Sequence, residues 1–454
     1  MSSVLGTTSP ADRRAAIATV TGVAVEAYDF IVYSYLVVFL APVFFPSDDP
    51  AAGILASLLV FAAGFVARPL GGVFYGRLGD RIGRRRTLLI TIVLMGLATV
   101  LMGLLPGYDQ IGIAASVLLV ALRLLQGFSA GGEVTGAAVY ASEHGTSANR
   151  GRFNSLQPLG FAIGGVLAPA AVGLTALLVP AGAMAAWGWR IPLLAVLPIT
   201  LICLLLRTRV EESPQFVRIR AEQRASAAPL RETVGKYPVA LLQVIGLTLC
   251  NGMINYTIIA YLPVYLNTSG NLSTGAVSWI FAVCSLIVVP FVLFSGALVD
   301  RFGQRRVLVI ALVLVAILII PALFVLRNVA AVAAVAAVVL VLLLVTTAIG
   351  PAILTASTGL FPTRVRYTGI ALGYSIGNVI GGGFGPYLAA LLAARLGSPY
   401  APALLFAFAV IVGIVAVLTA KRAPQPEPDL PTVPADDEDR DPPAVSDPMR
   451  METS

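Results

Sequence analysis

The sequence predicts an all-α polytopic membrane protein with twelve transmembrane helices, arranged as two six-helix bundles related by internal duplication. Of its 454 residues, 58% are apolar and only 12% are charged. A soluble fold of this length cannot bury so many apolar side chains. At about 20 apolar residues and a short connection per helix, the chain before the tail holds roughly twelve spans. A segment of 15 residues also recurs 220 positions later in the chain.

Apolar runs bounded by turn residues give the spans in order. The first six lie near 15–41, 52–75, 87–105, 111–140, 153–178 and 187–206. The second six lie near 238–266, 275–298, 307–326, 330–354, 367–394 and 401–420. The mixed-charge segment between the two sets predicts a cytoplasmic linker, so the expected units are 1–206, 207–236 and 237–422. Residues 423–454 hold nine acids against two arginines, which predicts a disordered acidic cytoplasmic tail.

The basic residues follow alternate loops. Before residue 423, 23 of the 28 lysines and arginines lie in loops or flanks on one predicted side of the membrane. The opposite loops hold only Arg190, Arg327 and Arg395. This is the positive-inside distribution, so we expect an inner-membrane protein with both termini in the cytoplasm. The basic charge needs no nucleic-acid partner to explain it.

The repeated segment is a loop between two spans. Residues 76–90 and 296–310 align without gaps and are identical at nine of 15 positions. Each copy lies between the second and third spans of its half, so the two halves have the same topology. Its glycines allow a tight turn and close helix approach, and its aspartate can face a helix N-terminus. A basic loop that only sets the topology is the alternative.

The pattern Gly-x-x-x-Asp-Arg-x-Gly-Arg-Arg at 76–85, with its second copy at 296–305, resembles the signature loop of the major facilitator superfamily. Five further segments narrow the resemblance to the metabolite:H+ symporter family, whose members carry α-ketoglutarate, citrate, shikimate, or proline and betaine. These segments are 26–30, 64–72, 123–133, 188–192 and 211–216. The resemblance implies the major facilitator fold and a transporter that is driven by a proton gradient, with neither a cofactor nor enzymatic activity.

The resemblance also implies gating residues. The first loop forms a cytoplasmic latch that holds the outward-facing state, through Gly76, Asp80, Arg81, Gly83, Arg84 and Arg85 with Glu143 and Glu211 as acidic partners. The second copy supplies Asp300, Arg301 and Arg305, and we expect it to be weaker because Gln304 replaces the arginine that matches Arg84. Arg190, at the external end of the sixth span, is either a vestibule residue or an anchor beside two tryptophans.

Ionisable residues inside spans are costly and indicate function. Glu26 and Asp29 are three residues apart in the first span and share a helical face. Two neighbouring carboxylates in a low dielectric cannot both ionise cheaply, which suits proton carriage. The alternative is that one of them makes a structural hydrogen bond or ion pair. Glu133 is a third candidate for proton coupling, or else a structural or gating acid.

The predicted substrate-binding residues lie on four spans. In the fourth span Arg123, Gln126 and Glu133 fall within about 80° on a helical wheel. Arg123 either binds a substrate carboxylate through its planar fork or pairs with Glu26 or Asp29. Arg68 lies on a glycine stripe and has either a packing role or a substrate role. The other candidates are uncharged: Tyr28, Tyr33, Asn251, Asn255, Tyr256, Tyr374 and Asn378.

The leading hypothesis is proton-driven import of a small organic acid or zwitterionic metabolite by alternating access, carried out by a monomer in the lipid bilayer. A single histidine, His144, cannot supply a metal site, and no Walker motif indicates ATP drive. One alternative is a proton-coupled drug or metabolite exporter, although the Gly-Pro-x-x-Gly-Gly stretch typical of exporters is absent from the fifth span. An osmosensing transporter is another, although the tail has no coiled-coil heptads.

Overall fold

The computed structural model describes residues 10–144, 155–207, 229–269, 272–329 and 331–420. Within these ranges, twelve helices are long and apolar enough to cross a membrane. This confirms the predicted fold class. Many large apolar side chains, among them Leu70, Leu177 and Ile317, are exposed on the outer faces of the helices, as expected where lipid is the solvent.

The first half contains helices α1 to α6. The bounds are α1 Pro10–Phe44, α2 Pro50–Ile82, α3 Arg84–Leu104, α4 Ile113–His144 and α5 Leu156–Leu178. Helix α6 begins with a π-helical turn, Met184–Gly188, and continues as Arg190–Leu194 and Val196–Arg207. The start of α2 is capped by Asp49, whose side chain accepts a hydrogen bond from the Ala51 N–H, and Pro50 occupies the first turn.

The second half contains helices α7 to α12. Helix α7 is Pro238–Tyr256, a π-helical turn Thr257–Tyr261, and Leu262–Ser269. Helices α8 and α9 are Thr274–Phe302 and Gln304–Asn328, and α10 is Val332–Thr347 with Ile349–Thr358. Helix α11 is Thr363–Asn378, a π-helical turn Val379–Gly383, and Phe384–Leu396, and α12 is Pro402–Thr419. A short helix, Pro229–Lys236, lies within the predicted linker.

The two copies of the repeated loop have the same backbone. Gly83 alone separates α2 from α3, and Gly303 alone separates α8 from α9, with φ values of 96° and 83°. Each glycine donates its N–H to the carbonyl four residues earlier at 3.0 Å, Gly83 to Gly79 and Gly303 to Val299. Residues other than glycine rarely adopt such φ values, so the two glycines allow both chain reversals. The predicted tight turn is confirmed.

The helices of each half pack in the same way. In the first half α1 packs on α5 and α2 on α4, and in the second half α7 packs on α11 and α8 on α10. The halves meet through α5 with α8 and through α2 with α11, which are corresponding pairs under the duplication. A central cavity lies between these contacts.

Glycines allow the closest of these contacts. A Cβ added to Gly381 of α11 would lie 2.1 Å from the Leu249 carbonyl oxygen of α7, so this glycine permits the close approach of α7 and α11. On α2, Gly64 and Gly72 face neighbouring atoms within 3.3 Å, whereas a Cβ on Gly76 would meet no atom of the described residues within 4 Å. Gly76 is exposed, and close packing at this position stays a prediction.

Candidate functional site

The central cavity has a volume of about 140 Å³ and is lined by both halves of the chain. Helices α1, α2 and α5 form one wall, and α7, α8, α10 and α11 form the other. Its polar lining residues are Glu26, Arg68, Gln157, Asn251, Asn255, Tyr256, Ser285, Thr346, Thr347, Tyr374 and Asn378. Among the described residues that line it, only Glu26 and Arg68 are charged. The cavity therefore presents one anion and one cation among neutral hydrogen-bonding groups.

Glu26 and Arg68 form an ion pair on the wall of this cavity. Arg68 Nη1 lies 3.1 Å from Glu26 Oε1, and the two side chains are only 8% and 9% exposed. The guanidinium carbon of Arg68 also lies 4.0 Å from the Phe30 ring centroid and 4.4 Å from that of Phe65. Aromatic faces attract a cation. The guanidinium is therefore fixed by the two rings as well as by the carboxylate.

The opposite wall supplies amides and phenols. Asn255 Nδ2 donates to the carbonyl and to the side-chain oxygen of Asn251, at 3.1 and 3.0 Å. Gln157 Nε2 of α5 donates to the Tyr374 hydroxyl of α11 at 3.3 Å and so links the two halves. The π-helical turns of α7 and α11 begin immediately after the lining residues Tyr256 and Asn378. Such turns are frequent at functional sites.

A second polar cluster lies beside the cavity but outside its lining. Arg123, Gln126 and Asp29 are all 0% exposed. Arg123 Nη1 donates to Gln126 Oε1. Gln126 Nε2 donates to Thr99 Oγ1 at 2.7 Å and to the Asp29 carbonyl at 3.4 Å. The Arg123 guanidinium lies 4.1 Å from the Tyr33 ring centroid, and Asp29 acts on it electrostatically. The two arginines share the Phe30 ring, whose centroid lies 4.0 Å from the Arg68 guanidinium and 5.1 Å from that of Arg123, but of the two only Arg68 lines the cavity.

Three other predicted residues hold helices together. The Tyr28 hydroxyl donates to the Pro192 carbonyl at 2.6 Å, and the Tyr33 hydroxyl donates to the Ser57 carbonyl at 3.2 Å. Both tyrosines are 0% exposed and lie outside the cavity lining. Arg190 Nη2 donates to the Leu105 carbonyl at 3.0 Å, and its guanidinium lies 4.2 Å from the Trp189 ring. These contacts link α1 to α6 and α2, and α6 to the end of α3.

The predicted latch is described only in part. Arg81, Asp300, Arg301 and Arg305 are exposed beside the two glycine turns. Arg301 lies 5.3 Å from the ring centroid of its neighbour Phe302. The side chains of Asp80, Arg84, Arg85, Glu133 and Glu143 lie outside the described part of the structure, as does Glu211 altogether.

Sequence reasoning missed several lining residues. Gln157 is a polar residue inside an apolar span, directly before Pro158, and this signal was available. Thr346 and Thr347 give no such signal in the sequence. Each bonds within its own helix, the Thr346 hydroxyl to the Leu342 carbonyl and the Thr347 hydroxyl to the Leu343 carbonyl, so a membrane helix can hold either residue without a partner on another helix. For Arg68 the sequence leaves both packing and substrate contact open. It lines the cavity, whereas Arg123 does not.

Comparison with known proteins assigns the family. Residues 15–244 match the family model described as "Sugar (and other) transporter", and residues 244–446 match the model of the Major Facilitator Superfamily. The chain belongs to the major facilitator superfamily. This confirms the resemblance drawn from the duplicated loop, and it confirms that the protein is a multi-pass membrane transporter.

Similar members of the superfamily transport small metabolites. The chain is 35% identical over 420 residues to the glycine betaine/proline/ectoine/pipecolic acid transporter OusA of Dickeya dadantii, covering 90% of this chain and 83% of the relative. It is 33% identical to the shikimate transporter of Escherichia coli, covering 84% and 87%. Among solved structures, the partially occluded inward-open xylose transporter XylE of E. coli shares the fold, with a TM-score of 0.74 at 18% identity over 91% and 99% of the two chains.

Proposed function

We propose that this major facilitator protein imports a small carboxylate-bearing metabolite, an organic acid or a zwitterion, together with a proton. The observation that carries the proposal is the central cavity, in which the Glu26–Arg68 pair faces neutral amides and phenols from the other half. A cavity reached in turn from the two sides of the membrane is the site that alternating access requires.

The substrate class is supported by the donors in the cavity. Arg68 offers a planar fork suited to a carboxylate, and Asn251, Asn255 and Asn378 can orient polar groups without adding charge. The named substrates of the relatives described above include glycine betaine, proline, ectoine and shikimate, all of which carry a carboxylate. The faces of Phe161 and Tyr256 also line the cavity and suit the quaternary ammonium of a betaine.

The proton route is proposed to run through the acids of α1. Glu26 lines the cavity and Asp29 lies in the buried cluster around Arg123, so both carboxylates are at membrane depth and beside a guanidinium. Burial disfavours the ionised form of such an acid, whereas the neighbouring guanidinium favours it. Protonation is therefore inexpensive only when another anion compensates the guanidinium. Glu133 remains the third candidate on sequence grounds.

Orientation and gating complete the proposal. The arginine distribution supports cytoplasmic termini, with two bundles, 1–206 and 237–422, that rock about the cavity as a monomer in the bilayer. The duplicated loop would then lie on the cytoplasmic side, where Asp80 and the neighbouring arginines would latch the outward-facing state.

Uptake by the purified chain in liposomes tests this function. Radiolabelled glycine betaine, L-proline, shikimate and α-ketoglutarate are supplied outside, with and without an acid-outside pH gradient. We expect the gradient to concentrate at least one of them, a protonophore to abolish the accumulation, and Arg68→Ala to lose it. The control Arg395→Ala changes an exposed arginine far from the cavity lining and should retain it. Equal uptake of every compound with and without the gradient would refute proton coupling.

A further inference from the structure

We infer that Arg68 is the subsite for the substrate carboxylate, and that the arriving carboxylate displaces Glu26, which then takes up the transported proton. The inference rests on the proposed function and deepens it, because it assigns an order of events to two residues of the cavity. In the empty cavity Glu26 occupies the position that the substrate carboxylate takes in the loaded one.

The contacts of Arg68 indicate that its guanidinium stays in place while the carboxylate paired with it is exchanged. Two aromatic faces hold the guanidinium from α1 and α2, at 4.0 Å for Phe30 and 4.4 Å for Phe65, and neither contact depends on Glu26. Nη1 faces Glu26, whereas Nε is buried and has no hydrogen-bond partner among the described residues. A guanidinium has five N–H donors. Because Nε is not open to the cavity, an arriving carboxylate competes with Glu26 for the terminal nitrogens of Arg68.

The position of the pair makes the exchange accessible to a substrate. Glu26 and Arg68 both line the cavity, and the other described residues of its lining are uncharged. Any molecule in a cavity of about 140 Å³ lies close to the pair. In the described part of the chain no other cation lines this cavity to receive the carboxylate, because Arg123 is fully buried in the neighbouring cluster.

Charge balance then assigns the proton. The charged and titratable groups around Glu26 are Asp29 on its own helix, Arg68 on α2, Tyr256 on α7 and Tyr374 on α11, with Arg123 on α4 beside Asp29. The cavity pair is neutral when empty. An arriving monocarboxylate without a cationic group, such as shikimate, would leave one uncompensated negative charge at membrane depth, which is costly. A proton from the entry side on the Glu26 carboxyl restores neutrality.

The cycle closes without further groups. The Glu26–Arg68 contact breaks as the substrate carboxylate contacts the guanidinium, and one proton moves from solution to a Glu26 oxygen. On the other side the substrate leaves, Glu26 releases its proton to solution, and the carboxylate pairs again with Arg68. One proton therefore crosses with each substrate of net charge −1, and neither crosses alone.

Binding to the unmodified protein tests the anchor. Calorimetry on the full chain in detergent compares shikimate with its methyl ester, and glycine betaine with choline, which lacks the carboxylate. We expect each ligand without the carboxylate to bind at least tenfold more weakly than its partner. Arg68→Lys should weaken binding of the carboxylates by a similar factor. The assignment of Arg68 is overturned if both carboxylates bind no more tightly than their partners without the carboxylate, or if neither carboxylate binds.

The pH dependence of binding tests the exchange. In the unmodified protein, shikimate affinity should fall up to tenfold per pH unit on the alkaline side, which is the slope of one linked proton. Glu26→Gln should bind shikimate more tightly at alkaline pH and with no pH dependence. The control Asp109→Asn changes an exposed acid in the short helix Tyr108–Ile111 and should keep the slope.

Two results would overturn the exchange. One is a pH dependence of shikimate affinity that is unchanged in Glu26→Gln. The other is a pH dependence that is lost in Asp29→Asn but kept in Glu26→Gln, which would assign the proton to Asp29. In either case the unmodified protein would still concentrate substrate under a pH gradient, so the proposed function would survive. A protein that fails in the gradient experiment itself would instead refute the function.

Discussion

Close packing of α2 on α4 fixes the backbone of Arg68, and Gly131→Ala tests this dependence. A Cβ added to Gly131 would lie 2.1 Å from the Arg68 carbonyl oxygen and 2.7 Å from the Gly72 nitrogen, whereas ordinary contact begins at 3.4 Å. Both obstacles are backbone atoms, so no side-chain rotation can relieve them. The two helices must separate by roughly 1 Å, and overpacking of this kind costs about 1–3 kcal/mol.

Alanine in place of a helical glycine also returns about 0.5–1 kcal/mol of conformational entropy. The expected net loss is therefore about 1–2 kcal/mol, seen in detergent as a melting temperature lower by a few degrees. Substrate affinity should fall as well, because Arg68 moves with its backbone. The control is Gly76→Ala, the same change on α2 where no atom of the described residues lies within 4 Å, which should melt at or above the original temperature. Melting of Gly131→Ala at or above the unmodified protein would refute the reasoning.

Three further changes test other parts of the molecule. Gln126→Leu removes a hydrogen bond to a charged group and one to Thr99, so we expect a loss of about 2–4 kcal/mol in the same melting assay, and unchanged melting would contradict it. Arg123→Lys keeps the charge but loses the planar fork. It should slow uptake without changing substrate affinity, because Arg123 lies outside the cavity lining, and a large fall in affinity would instead make it a substrate ligand. Asp80→Asn should strongly slow uptake and increase cysteine labelling from the cytoplasmic side, whereas full uptake with unchanged labelling would leave the loop only a role in topology.

Much of the fold can be predicted from the sequence because membrane helices need long apolar runs and the duplicated loop fixes how the halves correspond. Gly83 and Gly303 could be identified as turns, since they recur at matching positions between spans. The π-helical turns of α7 and α11 could not. They depend on contacts between helices, such as the close approach of Gly382 to Tyr256 and Phe65, which no periodicity within one segment reveals.

The site could be predicted only in part. The spacing of Glu26 and Asp29 places them on one face of α1, and Asn251, Asn255, Tyr374 and Asn378 are polar residues in apolar spans, so the sequence identifies all six as candidates. Which of the two arginines, Arg68 or Arg123, lines the cavity could not be predicted from the sequence. A helical wheel gives the angles between residues on one helix, but the rotation of that helix against its neighbours is set by packing, here by glycine contacts between α2 and α4.

Thiol labelling in the cavity tests alternating access most directly. The native cysteines, Cys203, Cys250 and Cys284, are free and at most 3% exposed, so membrane-impermeant reagents should not reach them. Asn255→Cys puts a thiol in the cavity lining, and Asp109→Cys puts one at the exposed end of the bundle as a control.

In oriented proteoliposomes, we expect Asn255→Cys to be labelled by reagent added from either side, and we expect transported substrate to slow labelling from both. The Asp109→Cys control should be labelled from one side only and without protection. Labelling of Asn255→Cys from a single side under all conditions, or labelling from both sides that substrate does not slow, would contradict a central cavity that carries substrate by alternating access.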